Sequence, residues 1–126
     1  MNLIHIVAIL ALIQYFFFGF MVGRARSKYG IHAPAVSGNE HFERALRIQQ
    51  NTLEQLVVFL PALFIAAVYW SEGFVALTGV VYLVGRFVYW RAYRADPNSR
   101  AIGFLLTVIP SFVLIIAGLI GAVFEA

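Results

Sequence analysis

The sequence contains no cysteine and carries little charge. Without cysteine, disulfide frameworks, thiolate metal sites and a cysteine nucleophile are excluded. Charged residues make up 12% of the 126 residues, whereas a soluble domain carries roughly a quarter. Hydrophobic residues make up 62%, and the mean hydropathy is +0.85. Neither a water-soluble globule nor a disordered chain fits that composition. There is no internal repeat and no low-complexity segment, and the length predicts one domain over residues 1–126. The net charge of +3 is small, and the basic residues lie beside apolar runs. That pattern is membrane topology and not nucleic-acid binding.

A helix needs about 20 apolar residues to cross the hydrocarbon core. Four runs qualify, and the expected helices cover residues 3–23, 43–70, 74–95 and 99–124. The first run is preceded by no basic residue and followed by Arg24, Arg26 and Lys28, the wrong polarity for a cleaved signal, so it reads as a retained helix. Pro61 and Pro110 fall inside helices two and four, where kinks are tolerated if neighbours satisfy the freed carbonyls. Only Ser71, Glu72 and Gly73 separate helices two and three, which makes them antiparallel neighbours. Asp96-Pro97-Asn98-Ser99 is a turn, with Asn98 or Ser99 placed to cap helix four. The expected fold is an all-α, four-helix membrane bundle. Eight of the nine Lys and Arg residues flank the first and third loops, which predicts those loops in the cytoplasm and both termini outside.

Polar side chains inside spans are costly, about 2.5–3.5 kcal/mol or more for a charge, and each needs a partner or a task. At roughly 100° per residue, Asn51, Glu54 and Gln50 fall within about 60° of Arg47, one polar stripe on helix two. On helix three, Arg86, Tyr89 and Tyr93 fall within about 40° of Tyr82. Both stripes lie toward the cytoplasmic ends, and Arg100 opens helix four at that level. Two readings compete. The groups neutralise one another, with Glu54 paired to Arg86 or Arg47, Asn51 bonding between helices and the tyrosines marking the interface belt. Or they build a pocket for a small polar anion bearing an amine: guanidinium forks for carboxylates, a carboxylate for ammonium, phenols for either. Elsewhere, Gln14 reads as an interhelical hydrogen-bonding group, Trp70 and Trp90 as belt anchors, and Gly118 and Gly121 as close-packing positions. His32 and His41 do not have metal-ligand spacing, and there is no phosphate loop, nucleophile elbow or zinc motif.

Phe42-Glu43-Arg44 and Arg47-Ile48-Gln49-Gln50-Asn51-Thr52-Leu53-Glu54 resemble the signature of the membrane-associated proteins in eicosanoid and glutathione metabolism. The run Gly85-Arg86-Phe87-Val88-Tyr89-Trp90-Arg91-Ala92-Tyr93, followed by Arg100, resembles it too. The likeness is close over about residues 40 to 105 and rests on hydropathy elsewhere. It implies a homotrimer with glutathione sites between subunits, open to the cytoplasm. By motif position it implies glutathione contacts at Arg26, Arg47, Gln49, Asn51, Glu54, Tyr89 and Tyr93. It implies that Arg100 stabilises the glutathione thiolate, with no metal. Gln55 departs from the leukotriene-forming member, which has tyrosine there, so leukotriene substrates do not follow.

The implied activity is conjugation of glutathione to hydrophobic electrophiles arriving from the bilayer, with peroxidase activity toward lipid hydroperoxides as an extension. The alternative is a non-catalytic lipid-binding member like the five-lipoxygenase-activating protein, which has little use for the polar stripes. A four-helix multidrug exporter is a third reading, but such proteins rely on a carboxylate in the first helix, where this chain has Gln14. A chain ending Phe124-Glu125-Ala126, without a reticulum-retention tail, is expected in a bacterial inner membrane.

Overall fold

The structure, a computed structural model, describes residues 1–125; the last residue of the expected domain, Ala126, lies outside them. Four helices follow one another: α1 Asn2–Tyr29, α2 Glu40–Tyr69, α3 Glu72–Ala95 and α4 Ala101–Glu125, with a 3₁₀ turn at Pro97–Ser99 before α4. All four are long and apolar enough to cross a membrane. The outer surface agrees with a lipid solvent: Phe16, Val68 and Phe124 are 77%, 71% and 82% exposed. In water such a surface would drive aggregation. Helix α2, with 30 residues, is about 45 Å long, against a hydrocarbon core of about 30 Å. Its polar first third therefore stands clear of the apolar zone.

The helices extend further than the apolar runs predict. Helix α1 continues past Gly23 through six more residues and stops at Gly30, whose φ of 68° places it in the left-handed region that closes a helix. Leaving the membrane changes polarity without breaking the helix, so Arg24–Tyr29 stays helical. Helix α2 starts earlier than expected because Asn39 caps it, its side chain accepting from the His41 and Phe42 amides at 2.8 and 3.1 Å. The first loop shrinks accordingly to residues 30–39. The expected cap of α4 is a correction. Ser99 Oγ donates to the Ala92 and Asp96 carbonyls, closing α3, and Asp96 accepts from the Asn98 amide. Arg100 occupies the position before α4, its carbonyl accepting from the Phe104 amide.

Helices α2 and α3 form the middle of the bundle, with α1 packed on one side of the pair and α4 on the other. The core runs along Ile4, Val7, Phe59, Leu63, Val75 and Leu114. Tyr82 belongs to this core and not to an interface belt: it is fully buried and stacks on Phe59 at 3.8 Å. Gln14 is the expected interhelical group, its amide donating to the Leu83 carbonyl at 2.9 Å. Trp70 Nε1 donates to the Ala117 carbonyl and ties α2 to α4. At that same end, Glu72 pairs with the Met1 amino group at 3.1 Å.

Glycine sets the α3–α4 approach. A Cβ on Gly103 would come within 2.4 Å of the Tyr89 backbone, and one on Gly85 within 2.6 Å of the Leu106 carbonyl carbon. Gly121 lies as close to Tyr69, and Gly118 lies against Ile65, the close packing expected of both. The Gly103 contact brings Tyr89 beside the first turn of α4, which matters for the site.

Candidate functional site

The C-terminal ends of α1 and α3 and the N-terminal ends of α2 and α4 gather at one end of the bundle. That end holds Arg47, Asn51, Tyr89 and Arg100 in a single cleft of about 540 Å³, closed by Asn98 and Phe104. Among the described residues no carboxylate lines it. Tyr93 stacks on Tyr89 at 5.4 Å and lines an adjoining cleft that shares Arg47. Arg47 and Arg100 are exposed, and among the described residues neither makes an ion pair. The cleft is therefore electropositive, and the N-terminus of α4 adds the positive end of its macrodipole to the Arg100 guanidinium.

The two polar stripes do not face each other. The α3 stripe points into the bundle: Tyr82, Arg86 and Tyr89 are all buried, and Arg86 has no exposed surface at all. The α2 stripe points outward, with Arg47, Gln50 and Glu54 exposed. They meet at Asn51. Arg86 Nη1 donates to Asn51 Oδ1 at 2.9 Å, and Arg86 Nη2 donates to Thr52 Oγ1 at 2.9 Å. Thr107 Oγ1 of α4 lies 3.5 Å from Nη1, and the guanidinium covers the Tyr89 ring at 4.4 Å. The expected pairing of Glu54 with Arg86 or Arg47 is thus overturned. Among the described residues Glu54 has no ion pair; hydroxyls and an amide meet the two terminal nitrogens of the inner guanidinium, and its Nε is left without a partner.

This arrangement gives Asn51 a fixed orientation. With Oδ1 held by Arg86, its Nδ2 is left to donate into the cleft. Thr52 and Thr107 were invisible as partners in the sequence. Thr52 is off the α2 stripe, and nothing in the charge pattern sets the rotation of α4 that aims Thr107 inward.

Gln49 and Arg26 lie elsewhere. On α2, Gln49 is roughly opposite Arg47 at about 200°, and its amide packs over Gly19 of α1. Arg26 donates to the Ala35 carbonyl at 2.9 Å and lies over the Phe42 ring at 4.8 Å. Neither reaches the cleft that holds Arg100. Glu54 shares the outward face of Arg47 and Asn51 but does not line the cleft. One chain therefore presents two separate sets of polar groups: Arg47, Asn51, Glu54, Tyr89, Tyr93 and Arg100 on one side of α2, and Arg26 and Gln49 on the other. Among the described residues, no group of three or more His, Cys, Asp or Glu side chains is placed to hold a metal ion.

Fold and site define a class: a four-helix membrane protein with an electropositive cleft at one end of its bundle. The chain belongs to the MAPEG family, whose model matches residues 4–120. An uncharacterised protein of the cyanobacterium Synechocystis sp. is 41% identical over 120 residues, covering 95% of this chain and 88% of that protein. Microsomal glutathione S-transferase 2 of Homo sapiens is 36% identical over 119 residues, 94% of this chain and 81% of that protein. Leukotriene C4 synthase of Cavia porcellus is 36% identical over 98 residues, 78% of this chain and 65% of that protein.

Proposed function

We propose that this chain is a membrane-bound glutathione transferase that joins glutathione to hydrophobic electrophiles dissolved in the bilayer. The observation that carries the reading is the cleft in which Arg47, Asn51, Tyr89 and Arg100 converge without a lining carboxylate. Glutathione brings two carboxylates, one ammonium and a thiol. Guanidinium forks bind carboxylates, and Asn51 Nδ2 and the Tyr89 and Tyr93 phenols donate to carboxylate or amide oxygens. The exposed Glu54 receives the ammonium. A relative of 36% identity bears the name of a glutathione S-transferase, which supports the same reading.

The two-sided placement of the site residues supports a homotrimer. If each subunit offers its Arg100 side to a neighbour and the neighbour answers with Arg26 and Gln49, every glutathione contact expected from the sequence meets in one place. Within one chain they do not. Cyclic symmetry with a heterologous interface closes such a ring. We place this end of the bundle in the cytoplasm, where eight of nine basic residues favour it, in a bacterial inner membrane.

The chemistry requires the thiolate, since a free thiol with a pKa near 8.5 is mostly protonated at neutral pH. Lowering that pKa by about two units takes roughly 2.7 kcal/mol of preferential interaction with the charged form. The Arg100 guanidinium and the partial positive charge of the α4 N-terminus both lie at the cleft. Arg100 stays protonated and cannot act as a base, so the thiol proton leaves to water. The sulfur then attacks the electrophilic carbon; a C–S bond forms and the leaving group departs with its bonding electrons. With a lipid hydroperoxide the same thiolate attacks the terminal oxygen of the O–O bond, the lipid alkoxide leaves and takes a proton from water to become the alcohol, and a second glutathione converts the resulting sulfenic acid to glutathione disulfide and water.

The test is conjugation of a chromogenic aryl halide by detergent-purified protein, alongside ultraviolet detection of bound thiolate. Wild type should outpace the background reaction. Arg100→Ala should lose about 100-fold in rate while glutathione affinity, read by calorimetry, changes only a few-fold. Bound glutathione without thiolate in wild type would refute the role of Arg100. No bound glutathione would return the family's lipid-binding reading.

A further inference from the structure

On the other face of the bundle, a cleft of about 630 Å³ opens between the ends of α1 and α3, over the first turns of α2. It shares no residue with the cleft around Arg100 and is complete within one chain. Arg24, Lys28 and Arg94 line it, and among the described residues no carboxylate does. Among the described residues none of the three makes an ion pair. The Arg94 guanidinium lies over the Trp90 ring at 4.6 Å, and the Lys28 ammonium lies 5.5 Å from the centre of the Tyr29 ring. These contacts hold cationic heads at the rim while the floor, with Met21 and Ile48, is apolar.

The same two helix faces change character deeper in the bundle. Phe17 precedes Arg24 by seven residues, and Phe87 precedes Arg94 by seven, so each lies two turns, about 10 Å, further along its helix. Both rings are exposed, at 36% and 48%. They join Trp90 in one cluster, with centroid distances of 5.4 Å for Phe17–Trp90, 6.5 Å for Phe87–Trp90 and 6.4 Å for Phe17–Phe87. The surface therefore carries three unpaired cations at one level and an open aromatic strip about 10 Å below. A soluble anion would leave the strip unused, and a zwitterionic headgroup would leave the cations without net counter-charge.

We propose that this cleft binds an anionic glycerophospholipid, with its phosphate among Arg24, Lys28 and Arg94 and an acyl chain along Phe17 and Phe87. The site is distinct from the glutathione cleft, and its occupancy does not depend on the reading given there.

Native mass spectrometry of the purified full chain, equilibrated with equal phosphatidylglycerol and phosphatidylcholine, reads the preference directly. Wild type should retain phosphatidylglycerol over phosphatidylcholine by about tenfold or more, each cation contributing about a fivefold preference. The triple variant Arg24→Gln/Lys28→Gln/Arg94→Gln should approach parity, and Arg24→Lys/Arg94→Lys should keep the preference. Equal retention of both lipids by wild type would overturn the proposal, as would an unchanged preference in the triple variant. If the triple variant does not fold, Trp90 quenching decides. Phosphatidylglycerol brominated on its acyl chains should quench Trp90 in a Trp70→Phe background and, where that variant is unstable, should quench part of the wild-type emission. Absence of quenching in both would overturn the proposal. Displacement of phosphatidylglycerol by millimolar glycerol phosphate would mean the anion alone is recognised, which would also overturn it.

Discussion

Replacing Arg86 with methionine removes the one charged side chain among the described residues that has no exposed surface. Two hydrogen bonds at 2.9 Å, to Asn51 Oδ1 and Thr52 Oγ1, disappear with it. Each charge-assisted bond is worth about 1.5–3 kcal/mol, but burying a guanidinium costs several kcal/mol, and methionine relieves that cost. The net loss of stability should therefore be small, on the order of 0–3 kcal/mol. Stability of the single variant is a poor witness for that reason, and a double-mutant cycle is the sharper instrument. Arg86→Met and Asn51→Leu, singly and together, should show a coupling of about 1.5–3 kcal/mol in unfolding by graded sodium dodecyl sulfate.

The functional consequence runs through Asn51. With Oδ1 captured, its amide can only present Nδ2 to the cleft; once released, it turns freely and the donor is lost for much of the time. One net hydrogen bond is worth about 1.4 kcal/mol, so glutathione affinity should fall about tenfold in Arg86→Met. Lysine has a single ammonium and cannot fork between Asn51 and Thr52 in the same geometry, so Arg86→Lys should recover only part. A coupling below about 0.5 kcal/mol, with calorimetric glutathione affinity unchanged, would refute the claim that Arg86 orients Asn51.

Three other outcomes follow from the same structure. Gly103→Ala should destabilise by about 1–3 kcal/mol, because its methyl would enter the Tyr89 backbone and not a yielding side chain; thermal unfolding in detergent measures it, and a neutral result would refute the close α3–α4 approach. Gln14→Leu should change stability by less than about 1 kcal/mol, since it removes one hydrogen bond together with the buried, unpartnered Oε1. Co-expression of an Arg100→Ala chain with an Arg26→Ala/Gln49→Ala chain should restore about one quarter of wild-type conjugation if subunits share sites, because random assembly of equal amounts rebuilds that fraction of intact junctions. Activity no greater than the sum of the two separate variants would rule out shared sites.

The four spans were legible because about 20 consecutive apolar residues in lipid have few alternatives to a helix. Their ends were not legible from hydropathy. Arg24–Tyr29 leaves the apolar zone as helix, and Asn39 starts α2 where the apolar count sees only a polar loop. The cap itself was readable: Asn39 followed by Glu40 and Glu43 is an N-terminal pattern, and Glu43 reaches back to the Gly38 amide at 3.2 Å. The cleft residues at Arg47, Asn51, Tyr89 and Arg100 came from two motifs and helical phase. Which way each stripe faces did not, because a periodic pattern fixes residues relative to one another and leaves the rotation of the whole helix open. That rotation depends on packing contacts such as Gly85 against Leu106, where the absence of a side chain is the signal.

Arg100 breaks a local rule, and the break is informative. A cation immediately before α4 opposes the positive end of a 25-residue helix, an arrangement that costs about 0.3–1 kcal/mol near an exposed helix end. No acidic residue occupies the first turn of α4 to relieve it, and among the described residues no carboxylate lines the cleft beside it. Arg47 adds a further cation. Left alone, these groups repel; with an anion between them, the repulsion becomes attraction from several directions at once. A helix cap chosen for stability would have been Ser, Thr, Asp or Asn, and the Asp96 and Ser99 side chains, both at hand within four residues, are used to close α3 and the turn instead. The local instability is thus concentrated where a bound thiolate or carboxylate would relieve it, as expected of a position kept for ligand chemistry and not for the fold.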